Sequence, residues 1–116
     1  MSDSHLDQAV LASLQDVMGA EYPVLLDTFL VDSDERQRHI LEACEAGDAQ
    51  ALRLAAHSFK GSCSNMGAPM LAVLCRQLEE AARRERLDEA PDLIEQIGRE
   101  FAIVRILLKS ERQRYR

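Results

Sequence analysis

The sequence predicts an all-α protein: an antiparallel up-down four-helix bundle with an additional short N-terminal helix. Three observations point that way. Hydrophobic residues make up 47% of the chain, yet aromatics are only 4% and Trp is absent, so Ala and Leu carry the apolar content, as in helical packing. Only five Gly and three Pro punctuate 116 residues, which leaves few, long elements. Within those elements apolar residues recur three or four positions apart, the period of a helix with one buried face.

The first helix is expected over residues 3–18, with Leu6, Val10, Leu14 and Val17 as its stripe and Gly19 at its end. The second is expected over about 21–46, with Tyr22, Leu26, Phe29, Ile40 and Ala43 facing inward. Its middle, residues 32–39, is almost wholly polar and is expected to project past the core or to be partly irregular. Gly47 stops this helix, and Asp48 caps a third that runs from 49 to about 65. Gly67, Ala68 and Pro69 close the third and open the fourth, whose stripe is Leu71, Leu74, Leu78 and Ala82. Leu87 and Asp88 make the next break. Pro91 then sits in the opening turn of a last helix, along which Ile94, Ile97, Phe101, Val104 and Leu108 form a narrow seam. Short connections make consecutive helices antiparallel neighbours. A single domain over residues 1–116 is large enough to bury its own core without disulfides or a structural metal.

Charge and cysteine usage narrow the function classes. With 14 Lys and Arg against 20 Asp and Glu, the net charge is −6, and such a chain repels a phosphate backbone, so nucleic acid is not an expected partner. The locally basic end, from Glu111 through Arg116, reads as cations favourably placed at a helix C-terminus. Cys44, Cys63 and Cys75 are odd in number and form no CxxC pair, which points to reduced thiols. The start, Met1-Ser2-Asp3-Ser4, lacks a basic segment followed by an apolar run, and no stretch approaches the roughly 20 apolar residues of a membrane span. A cytoplasmic protein is expected.

The third helix carries the anomaly. On a wheel of about 100° per residue with Phe59 at zero, Leu52, Ala56, Cys63 and Met66 fall within about 60°. His57 falls near 160°, with Arg53, Lys60, Gly61 and Ser64 clustered around it. A histidine therefore faces solvent from a well-packed helix, with a cation one turn away. Gly61, on the same exposed side, costs that helix roughly 1 kcal/mol relative to Ala. Close approach of another molecule would explain it. Imidazole titrates near 6.5 in water, so at neutral pH it offers a free nitrogen as a nucleophile toward a phosphoryl group. A cation at i+3 can offset phosphoryl charge, and phosphoryl transfer asks a protein for little beyond positioning and electrostatics.

The run Ala56-His57-Ser58-Phe59-Lys60-Gly61-Ser62-Cys63-Ser64-Asn65-Met66-Gly67-Ala68 resembles the signature of histidine-containing phosphotransfer (HPt) domains, A-H-x-[LF]-K-G-S-x-x-x-[LM]-G-A. The likeness extends back to Ala46-Gly47-Asp48 and forward through Leu71, Cys75, Leu78 and Glu79, and covers roughly residues 21–108. It implies a stand-alone bacterial phosphoryl carrier, monomeric, without a kinase or nucleotide site. The carrier would accept a phosphoryl group from the receiver aspartate of a hybrid sensor kinase and pass it to that of a response regulator. No cofactor or metal is implied, since Mg²⁺ would belong to the receiver. By the same resemblance His57 is the phosphorylated residue, Lys60 stabilises the phosphohistidine and Gly61 gives the receiver access. Ser62 and Gly67 match positions that are mostly structural. Arg53, Leu54, Ser58 and Ser64 are candidates for support or docking. Glu79 departs from the Gln that some members carry there. A carboxylate there could hydrogen-bond an imidazole N–H but would repel a phosphoryl group if too close, so direct support of His57 by Glu79 is the less expected of two open outcomes.

Competing classes fare worse. A helical interaction protein without chemistry does not explain Lys60 and Gly61 in register with His57. An autonomous kinase lacks a phosphate-cradling glycine motif and the length for a nucleotide domain. A metal site fails because His57, Cys63 and Cys75 do not share a helix face.

Overall fold

Asp7 accepts hydrogen bonds from the amides of Ala9 (3.0 Å) and Val10 (3.3 Å), which caps helix α1, Gln8–Met18. The structure is a computed structural model and describes residues 5–115. The expected start of α1 at residue 3 lies outside the described residues, and Leu6 and Asp7 precede the helix. Leu6 and Leu11, both buried, occupy the two positions of a hydrophobic staple around the Asp7 cap. This shifts the inward stripe to Leu11, Leu14 and Met18 and leaves Val17 81% exposed, a correction to the expected pattern.

A 3₁₀ turn, Gly19–Glu21, leads into α2, Tyr22–Glu45. Residues 32–39, expected to be irregular or to overhang the core, are regular helix. The reason is that the buried stripe never breaks: Tyr22, Leu26, Phe29, Ser33, Ile40 and Ala43 are buried and Arg36 is half-buried, at alternating spacings of four and three. The outer face is held by ion pairs one turn apart, Glu35 with Arg38 and Arg38 with Glu42. Gly47 turns the chain with φ of +66°, and Asp48 caps α3, Ala49–Met66, through the amide of Ala51 at 3.0 Å. Gly67, in the left-handed region at φ +80°, ends α3. Pro69 then opens α4, Pro69–Arg83. After a turn through Glu85 and the 3₁₀ segment Leu87–Glu89, α5 runs over Ala90–Arg112.

Each of α2 to α5 packs against the next, and α5 returns to α2, so the four close into a ring, with α1 lying against α2 and α3. No strand occurs among the described residues. Phe59 packs edge-on against Phe101 with ring centroids 6.4 Å apart, and Phe29 lies 6.3 Å from the same ring. Leu26, Leu52, Leu71, Leu78, Val104 and Leu108 fill the rest with no exposed surface, each contributing about 1.5–3 kcal/mol by burial. All three cysteines are free, and both Cys63 and Cys75 are core residues. Their proximity, together with burial, pushes the Cys63 thiol far above its ordinary range. Near the C-terminus Tyr22 donates from its buried hydroxyl to Glu111 (2.9 Å), while Arg112 pairs with Asp27 (3.0 Å). No helix among the described residues is long and apolar enough to cross a membrane.

Candidate functional site

The buried stripe of α3, Leu52, Ala56, Phe59, Cys63 and Met66, fixes the rotation of the helix in the bundle. That rotation sends His57 outward, with 62% of its side chain exposed. Its Nδ1 lies 2.9 Å from Oε2 of Glu79, a residue on the adjacent helix α4. The other carboxylate oxygen, Oε1, lies 2.8 Å from the Lys60 ammonium. One carboxylate therefore links the histidine to the cation one turn further along α3.

Glu79 is 82% removed from solvent, its side chain being 18% exposed. Burial alone would raise its pKa, but the Lys60 ammonium and the His57 ring more than offset this and hold it below the usual carboxylate range. At neutral pH it is ionised and can only accept hydrogen bonds. The short contact therefore requires the proton on Nδ1, and the free lone pair of a neutral imidazole is then on Nε2. The structure corrects the expectation that Glu79 gives His57 no direct support. Repulsion of a phosphoryl group is relieved because Lys60 neutralises the carboxylate and Nε2 lies on the other side of the ring.

Removing this support is expected to slow the chemistry without unfolding the bundle. Glu79→Ala should cost about tenfold or more in phosphoryl acceptance by His57, as for other residues that orient a reactive imidazole, while Glu79→Gln, which keeps an acceptor, should lose less. Single-turnover labelling of the three proteins checks the order. A stability signature accompanies it. Because the folded-state pKa of Glu79 is depressed, its ionic contribution is present above the ordinary carboxylate pKa of about 4.3 and is lost as the pH falls through the lower folded value. Thermal melts of wild type and Glu79→Gln should therefore converge in acid.

The other sequence-predicted positions divide. A Cβ placed on Gly61 would meet nothing within 4 Å, so this helical glycine opens onto free space. His57, Ser58, Gly61 and Ser62 line one wall of a groove of about 520 Å³, opposite Leu25 and Arg36 of α2 and Leu14 of α1. Ser58 accepts a hydrogen bond from Arg36. Arg53 is half-buried, and Leu54 (52% exposed) and Ser64 are exposed; none of the three lines the groove. Gly67 is buried at the end of α3: a Cβ there would stand 2.9 Å from Val10, and its carbonyl accepts the Asp7 amide at 2.7 Å. A larger cleft of about 780 Å³ between α4 and α5 does not include His57, and four of its charged residues pair with one another, Arg84 with Glu80 and Arg86 with Glu89.

Two residues of the site escaped the sequence reading, Glu79 by misjudged direction and Arg36 altogether. Arg36 carried a signal: with Ser33 it occupies the inward stripe of α2, where apolar side chains are the rule.

An exposed imidazole with its tautomer fixed by a carboxylate, a cation one turn away and an open glycine beside it can receive and release a phosphoryl group. The sequence profile of the Hpt domain matches residues 24–111. The chain belongs to the Hpt family. The crystal structure of histidine-containing phosphotransfer protein B (HptB) from Pseudomonas aeruginosa PAO1 is similar to it at 69% sequence identity and a TM-score of 0.95, over 97% of each chain. No curated protein sequence matches it. The Hpt assignment makes this a histidine phosphotransfer protein of a phosphorelay, a phosphoryl carrier rather than a kinase.

Proposed function

We propose that His57 is the phosphorylated residue, taking a phosphoryl group from the receiver aspartate of a hybrid sensor kinase and handing it to that of a response regulator. The observation that carries this reading is the 2.9 Å contact between Nδ1 and Glu79. In the acceptance step the Nε2 lone pair forms the N–P bond as the P–O bond to the receiver's aspartate breaks, and the bonding pair leaves with the aspartate. The imidazole, still protonated at Nδ1, gains a positive charge that Glu79 offsets. Reversal of these movements returns the phosphoryl group to a second receiver.

Lys60 has three N–H donors and spends one direction on Glu79, so it can also meet phosphoryl oxygens. Lys60→Ala is expected to change the phosphohistidine lifetime and the transfer rate while leaving affinity for an unphosphorylated receiver nearly intact. Quench-and-gel decay and calorimetry check this; a large loss of affinity with an unchanged lifetime would move Lys60 to the docking surface. The carrier works in the cytoplasm as a monomer of one domain, holds no nucleotide or metal, and relies on Mg²⁺ only in the receiver's pocket. Phosphotransfer profiling of wild type and His57→Gln against the receivers of the source organism tests the reading. Labelling of the purified protein by ATP without a kinase would contradict it.

A further inference from the structure

Arg36 occupies a position where a side chain of its kind needs a reason. It lies on the inward stripe of α2, half-buried, and its Nε is buried with no hydrogen-bond partner. Its one polar contact among the described residues is with the hydroxyl of Ser58, the residue that follows His57. Most arginines of this acidic chain, among them Arg38, Arg83, Arg99, Arg105 and Arg112, sit in ion pairs with carboxylates, whereas Arg36 is in none among the described residues. Asp32, one turn earlier on α2, lines the same groove but does not pair with it. A half-buried guanidinium is costly to leave without an anion.

The groove supplies the setting. Arg36, His57 and Gly61 line it together. With Nδ1 held by Glu79 on α4, Nε2 is the ring nitrogen left free of that carboxylate, and His57 itself lines the groove. Two cations thus belong to the surroundings of His57: Lys60, already matched by Glu79, and Arg36, which shares the groove with His57, holds the neighbouring Ser58 and is in no ion pair among the described residues.

We propose that Arg36 binds an oxyanion brought into this groove by the receiver, acting as the second cationic contact of the transfer site. The inference rests on the carrier reading above and deepens it. A planar guanidinium with its N–H donors in a fork suits either source of that oxyanion, the phosphoryl group in transit or a carboxylate of the receiver's pocket. Its contact with a neutral hydroxyl holds the side chain in place and leaves its charge available.

The test uses a receiver whose phosphorylated form labels the wild-type protein. Arg36→Gln, Arg36→Lys and Arg99→Gln are compared in single-turnover transfer at saturating receiver, and in calorimetric binding of the unphosphorylated receiver in phosphate-free buffer. Arg99→Gln removes the same charge on α5. The expected result is a loss of tenfold or more for Arg36→Gln, partial recovery in Arg36→Lys, and a change under twofold for Arg99→Gln. A loss confined to the transfer rate assigns the oxyanion to the phosphoryl group; a loss of affinity for the unphosphorylated receiver assigns it to a receiver carboxylate. Wild-type rate and affinity in Arg36→Gln would overturn the assignment alone. So would equal impairment of Arg36→Lys and Arg36→Gln accompanied by lowered melting temperatures, which marks a structural role. Absence of His57-dependent label in the wild type would overturn this inference and the carrier reading together.

Discussion

His57→Gln is expected to abolish phosphoryl acceptance altogether. Incubated with a phosphorylated receiver, the wild type should acquire acid-labile, alkali-stable label, as a phosphoramidate does, and the variant none. The completeness of the loss follows from the site. His57 is the only histidine of the described residues set beside both Lys60 and an open glycine. His39 is engaged with Glu35 at 3.2 Å on the outer face of α2, and the Nδ1 of His5 lies 2.8 Å from the buried carboxylate of Glu100. Gln is polar and close in volume, and position 57 is exposed, so the bundle should keep its stability to within about 0.5 kcal/mol. A labelled His57→Gln protein of normal melting temperature would move the reaction to another residue.

The parts of this fold legible in the sequence are those governed by local chemistry. Asp48 and Gly47 mark a helix boundary because a side-chain cap and a left-handed glycine are encoded residue by residue. The seam of α5 is legible because Ile97, Phe101, Val104 and Leu108 repeat at helical spacing. Where two signals compete, reading along the chain falters. In α1, Leu6 and Val17 fit the period, but the Asp7 cap starts the helix later and leaves Val17 in solvent. In α2 the polar run 32–39 hides an unbroken stripe, because two of its inward positions hold Ser33 and Arg36 instead of apolar residues.

The site divides the same way. His57, Lys60 and Gly61 lie within one helical turn or so of one another, so their common face follows from the 3.6-residue period. Glu79 and Arg36 reach the site from α4 and α2, and their distances depend on how three helices are rotated in the bundle. No sequence spacing encodes that. A carboxylate beside a phosphoryl acceptor looks unfavourable until its two oxygens are seen to serve different partners, Nδ1 of His57 and the Lys60 ammonium.

Gly61→Gln and Gly67→Ala should fail in opposite ways, and the contrast separates access from architecture. Gly61 has ordinary helical backbone and empty space where a side chain would go, so a larger residue there should leave the helix intact or strengthen it by up to roughly 1 kcal/mol. The new side chain would stand in the groove that His57 also lines, where a receiver must bring its aspartate within about 3–3.5 Å of in-line attack. Displacing that approach by even 1 Å should slow transfer by about 100-fold. Gly67 is the reverse case. Its φ of +80° strains any residue with a Cβ, and that Cβ would stand 2.9 Å from Val10, forcing α1 off the end of α3. Gly67→Ala should therefore cost about 1–3 kcal/mol, read as a lowered melting temperature, while the chemistry at His57 persists in the folded fraction. Thermal melts and single-turnover transfer on both variants check the pair. If Gly61→Gln melts early, or transfers at the wild-type rate, the open glycine serves packing or nothing at all. If Gly67→Ala keeps its stability, the junction of α1 with α3 is looser than its geometry requires.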